Sequence, residues 1–140
     1  MSHDIARAAI ESRLLAWAKA RTPALPCAFG NVNYAPTTGQ SYLQSDLMPA
    51  DTRNPSQGGQ HKRYTGLIQI SIRTPAGKGT TESAAIAQAI EELFPCPTTL
   101  PKGGINVHID STPATGPGAN DGNGFWMTPV TVKYRTEVFT

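Results

Sequence analysis

The first twenty positions carry apolar residues at helical intervals. Ala6, Ile10, Leu14 and Trp17 are separated by four, four and three residues, which places them on one stripe of an α-helix. Ser2 or Asp4 can cap its start, and Arg7 and Glu11 stand one turn apart on another part of its surface. Pro23 ends it, because proline disfavours helical geometry in the residue before it. The spacing predicts a helix over 3–20. After a proline-bounded connection from Thr22 to Pro26, the run from Cys27 to Tyr34 reads as a strand closed by Pro36.

From Arg63 to Thr74 the period changes to two. Ile68, Ile70 and Ile72 alternate with Gln69, Ser71 and Arg73, so one face of this strand is apolar and the other polar. Pro75-Ala76-Gly77-Lys78-Gly79 then turns the chain into a second helix over 81–94, with Ile86, Ile90, Leu93 and Phe94 as its stripe and Glu82 near its N-terminal dipole. Pro95 and Pro97 stop it. Ile105 to Asp110 alternates like a half-buried strand, and Gly116 to Gly124 forms a glycine-rich connection. The final strand, 125–139, sets Val130, Val132, Tyr134 and Thr136 on one side. Pro129 cannot donate a ladder hydrogen bond, which predicts an edge or a bulge at the start of that strand.

A further strand, Tyr42 to Met48, is separated from Arg63 by the turn formers of Pro49 to Gln60, among them Asn54-Pro55 and Gly58-Gly59. Hairpin loops are usually about two to five residues long, and connections past about a dozen tend to be functional or disordered. The insert therefore reads either as an extended binding arm or as a mobile surface loop. The order helix, three strands, helix, two strands predicts a single α+β domain over 1–140. Its sheet should be largely antiparallel, with about four to five strands and two helices packed on it.

Leu, Ile, Val and Phe together make up under a fifth of the chain, while the formal net charge is only +2, which argues against a disordered polyanion or polycation. The composition predicts a small core filled largely by alanine, whose stability gains from burying surface against other subunits. No stretch approaches the roughly 18 apolar residues of a membrane span, and Met1-Ser2-His3-Asp4 does not begin a leader, so a cytoplasmic protein is expected. Cys27 and Cys96 stand far apart beside prolines and read as reduced structural thiols. The basic residues are too scattered for a nucleic-acid face, apart from His61-Lys62-Arg63.

Candidate chemistry fails position by position. Gly77-Lys78-Gly79-Thr80 sits where a phosphate-binding loop would, but Ile72 stands where the leading glycine belongs and Gly79 where serine or threonine belongs. His3, His61 and His108 are dispersed and match no metal-ligand spacing. His108 shares a strand face with Asn106 and Asp110, which reads as the solvated side of a sheet. Ser45-Asp46 and Ser111-Thr112 lack the glycine-framed elbow of a nucleophilic serine. Adjacent Glu91 and Glu92 diverge on a helix and cannot act as a paired acid and base. No catalytic, cofactor or metal residue is assigned.

The chain resembles the small tail-terminator, or tail-completion, proteins of long-tailed bacteriophages and prophages, a group that includes a phage-related domain of unknown function. The residues that carry the resemblance are Ile5 to Leu14, Tyr42-Leu43, Leu47 to Pro55, His61 to Gly66, Thr74 to Gly79, Leu93-Phe94-Pro95 and Val130 to Arg135. The resemblance implies a non-enzymatic subunit without cofactor. It assembles as a ring, typically a homohexamer, on the end of the tail tube, with the tail tube protein and the head-tail connector protein as partners. It works in the host cytoplasm during assembly and stays in the virion tail. Within it, Pro49 to Arg63 is the expected subunit- or partner-facing arm, with Asp51, Arg53, Lys62, Arg63 and Tyr64 as the interface residues. The alternatives are a neck or head-completion connector, or a small nucleic-acid-binding module; no membrane partner or specific nucleic-acid binding is expected.

Overall fold

The period-two pattern of the middle of the chain builds the centre of the molecule. In the computed structural model, which describes residues 2–21, 25–29, 40–53, 61–77, 79–102, 104–109, 111–120 and 124–139, two 15-residue strands run antiparallel along their whole length. The elements are α1 (Ser2–Ala20), β1 (Cys27–Phe29), β2 (Tyr42–Arg53), β3 (His61–Pro75), α2 (Thr81–Leu93), β4 (Thr98–Lys102), β5 (Ile105–Ile109), β6 (Ala114–Thr115), β7 (Ala119–Asn120) and β8 (Phe125–Phe139). They form one sheet in the order β1-β2-β3-β8-β5-β4, with β6 and β7 also paired to β8. Among the described strands, only β1 runs parallel to its neighbour.

Register carries the alternation across strands. Leu43 lies opposite Ile72, Leu47 opposite Ile68, Ile68 opposite Val132 and Ile70 opposite Val130, so these side chains share one face. Both helices cover that face. Ala6, Ile10, Leu14 and Ala18 of α1 and Ile86, Ala87 and Ile90 of α2 are buried against it, with Phe94, Val107 and Ile109 completing the core. The core is not filled largely by alanine as expected: Ile, Leu and Val supply most of it, because the sheet face and the helix stripes carry them, while Ala6, Ala9, Ala18 and Ala87 are confined to the two helices. Trp17, expected in the stripe, lies half-buried at its margin, and Ala18 takes the deep position, because the stripe follows a strict four-residue step.

The sheet has eight strands, not four to five. The added strands, β4, β6 and β7, are short and rich in proline, alanine and threonine; β4 extends β5, while β6 and β7 give the outer edge of β8 its partners. Val107 and His108 of β5, then Ala114 and Thr115, then Ala119 and Asn120 pair in succession down that edge. The strand expected over 27–34 is described only to Phe29; 30–39 lie outside the described residues.

Pro129 sits in an interior strand rather than at an edge. Its carbonyl accepts the Gly116 N–H at 2.9 Å, so its missing donor faces the break between β6 and β7, where no ladder bond is lost. The insert after Met48 is also more regular than expected. β2 continues through Pro49 to Arg53, with a register shift between Pro49 and Thr52, and β3 starts at His61. The connection 54–60 lies outside the described residues.

Candidate functional site

Alternation along β3 separates the interface candidates. Arg63 lies opposite Glu137 of β8 and Arg53 of β2 on the face away from the helices, whereas Tyr64 points to the helix side, opposite Thr136 and Thr52. Lys62 shares the side of Tyr64 by the same period of two. Asp51 and Arg53 belong to β2 by their backbone; their side chains lie outside those described. The structure thus gathers the candidates at one end of the hairpin but not on one face.

On the open face, one carboxylate holds three basic side chains. Glu137 Oε1 accepts hydrogen bonds from Arg63 Nε and Nη2 at 3.0 and 2.8 Å and lies 3.1 Å from His61 Nε2, while Oε2 accepts from Arg135 Nη1 at 2.7 Å. The Arg63 hydrogen bond holds the Glu137 carboxyl below the usual carboxylate range, with Arg135 adding to the effect against desolvation. Lys133, two residues from Arg135 on the same face, is exposed. Glu137 and Arg135 escaped the sequence reading. Their signal was the period-two series Lys133, Arg135, Glu137, which acquires meaning only once β8 is paired with β3.

Beside this cluster lies a groove of about 390 Å³ lined by Met48, Ala50, Thr65, Leu67, Lys133 and Arg135, with Gly66, Ser111 and Tyr134. Met48 is 46% exposed and is the single exposed large hydrophobic side chain among the described residues.

On the helix side, α1 is seated by its first turn. His3 Nδ1 lies 2.5 Å from the Tyr134 hydroxyl, and the imidazole meets the rings of Tyr64 and Tyr134 edge-on at centroid distances of 5.1 and 5.9 Å. Burial lowers the His3 pKa, opposed by Asp4, and pushes the Tyr134 phenol up to about 12. The imidazole and the phenol share this one hydrogen bond, its donor set by the imidazole tautomer. Tyr64 is thereby a packing partner of α1 as well as an interface candidate.

Other polar groups are structural. Glu11 of α1 is buried beneath β2, and desolvation raises its pKa against the pull of Arg7. The Ser45 hydroxyl is near enough to favour the ionised form slightly, yet its oxygen has no hydrogen bond of normal geometry. Burial also pushes the Cys27 thiol up to about 11. His108 Nδ1 lies 3.2 Å from Thr99 Oγ1 across the β4–β5 hairpin. Asp110, its proposed companion, and Lys78 lie outside the described residues. Among the described residues, His, Cys, Asp and Glu nowhere gather in threes as metal ligands, and no helix is long and apolar enough to cross a membrane.

Comparison with known proteins supplies the frame for this surface. A family model described as phage tail terminator protein matches residues 5–134. One solved structure is 34% identical, with a TM-score of 0.82, and the match covers 100% of this chain and 99% of that one. No curated protein matches the chain. With the family match extending from the first turns of α1 to Tyr134 in β8, the chain belongs to the phage tail terminator family, structural proteins of virion assembly found in the tail.

Proposed function

We propose that this protein closes into a ring, with six subunits as the family resemblance implies, on the end of a completed tail tube. There it stops tube polymerisation and presents its other surface to the head-tail connector. The observation that carries this reading is the tail terminator match over residues 5–134. The fold supports it in two ways. β1 pairs only with Leu43 to Ser45, so among the described residues β2 from Asp46 onward is paired on one side and offers backbone donors and acceptors on the other. The sheet face opposite the helices carries the groove and the basic cluster, so the subunit has two different sides. A ring needs such a heterologous interface and two dissimilar faces.

Asp51, Arg53, Lys62, Arg63 and Tyr64, at the outer end of the β2–β3 hairpin, are the residues proposed to face a subunit or partner. Arginine and tyrosine are enriched at interface hot spots. Native mass spectrometry over a concentration series, with negative-stain images of the same samples, tests the ring. A closed hexamer is expected; a monomer that purified tail tubes fail to recruit overturns the reading. Replacing Arg53 and Arg63 by alanine should impair ring formation or tail attachment with an unchanged circular dichroism spectrum. Unaltered assembly in that variant removes these residues from the interface and leaves the ring standing.

A further inference from the structure

The groove on the open sheet face has a basic margin, and the exposed side of α2 is acidic toward its end, so the two are complementary in charge. We infer that the groove receives α2 of a second copy of this chain, with Glu91 and Glu92 of that copy set against Lys133 and Arg135.

The groove has an apolar floor of Met48 and Leu67 and a basic margin at Lys133 and Arg135. Arg63, Arg73, Lys133 and Arg135 share this face with Asp46 and Glu137, so it carries a positive excess. α2 buries Ile86, Ala87 and Ile90 and exposes Ala84, Ala85, Gln88, Glu91 and Glu92, which recur at helical intervals as one stripe. Small residues at its start let a protruding methionine approach closely, and carboxylates follow at its end. No basic residue of α2 stands in its last turn, and Arg13 of α1, 5.9 Å over the Phe94 ring at the C-cap, is the cation described there, so Glu91 and Glu92 add negative charge at the negative end of the helix dipole. Cations from a neighbour offset that excess.

The dimensions agree. α2 has 13 residues and is about 20 Å long, while the three strands β2, β3 and β8 span roughly 10 Å between outer axes. One helix can therefore cross the groove. The helices cover one face of the sheet and the groove opens on the other, so the contact joins unlike surfaces. Such a contact repeats in one sense and closes when its rotation allows. This inference rests on the ring reading above and names the interface within it.

The test is a charge exchange read by native mass spectrometry. Lys133→Glu alone, and Glu91→Lys with Glu92→Lys in a second variant, should each raise the concentration needed for half-assembly by about tenfold or more, since like charges then meet at every interface. All three positions are exposed, so folding is retained. Mixing the two variants one to one should restore rings, in which the subunits alternate and every contact is again of opposite sign. Rings of unchanged stability in both variants, or a loss that mixing fails to restore, overturn the inference while wild-type rings keep the ring reading. A wild-type chain that remains monomeric with tail tubes present overturns both.

Discussion

Gly66→Ala adds one methyl group where the structure has no room for it. A Cβ at Gly66 would lie 2.6 Å from the Tyr134 hydroxyl oxygen, 2.9 Å from Tyr134 Cζ and 2.9 Å from the Met48 carbonyl oxygen. Gly66 is the cross-strand partner of Tyr134, whose side chain lies over the bare backbone and is held at its far end by His3. The ring cannot lift without breaking that 2.5 Å hydrogen bond, and Tyr134 is only 3% exposed. Overpacking of this kind costs about 1–3 kcal/mol. Loss of the tyrosine–histidine bond adds about 0.5–1.5 kcal/mol. Removing a glycine from a strand interior returns about 0.5–1 kcal/mol. The net destabilisation is about 1–3 kcal/mol, a fall in Tm of roughly 3–10 °C for a domain of this size. Urea denaturation at matched protein concentration measures it, repeated in a Tyr134→Ala background, where the shortest contact and one of the two at 2.9 Å are gone. The penalty should fall by more than half there. An equal penalty in both backgrounds, or none in the wild type, refutes the argument that Tyr134 dictates glycine at this position.

Two further outcomes follow from the titrating groups. Glu137 is held below its ordinary pKa by Arg63, so its contribution is present above about pH 4.5 and is lost as the pH falls through the depressed value. Glu137→Gln should therefore be less stable than wild type at neutral pH, and the gap should narrow as the pH falls below about 4.5 and through the depressed value; a gap independent of pH would count against the cluster. Cys96 is exposed, while burial pushes Cys27 up to about 11, so a thiol reagent at pH 8 should label Cys96 at least about tenfold faster. Equal rates for the two thiols would contradict the burial of Cys27.

The parts of the fold legible in the sequence are those whose reason for existing is local. Ile68, Ile70 and Ile72 announce β3 by a period of two, and Ala6, Ile10 and Leu14 announce α1 by steps of four; each pattern is complete within a dozen residues. β4, β6 and β7 have no such pattern. Two of them are two residues long, and β8 dictates their pairing from further along the chain. The site divides in the same way. Arg63 stood out as part of a dense basic run, but its meaning depends on Glu137, 74 positions away, and that of His3 on Tyr134, 131 positions away. Such contacts follow from register and helix placement, which residue-by-residue reading does not supply.

Four local features of this chain stand out: a proline in an interior strand, a glycine in the longest antiparallel pairing, an exposed methionine on a sheet face, and two carboxylates in the last turn of a helix that has no basic residue of its own there. The first two are resolved inside the fold. Pro129 sets its missing donor at the break between β6 and β7, and Gly66 makes room for Tyr134. The other two face outward: Met48 is exposed on one side of the sheet, and Glu91 and Glu92 are exposed on the helix layer of the other, where Glu92 accepts a 3.4 Å hydrogen bond from Gln88. A single substitution at either place should cost the isolated subunit little, whereas in the proposed ring the loss would recur at every interface. Stability of the subunit and stability of the assembly are then set by different residues, and Gly66→Ala and Lys133→Glu separate the two.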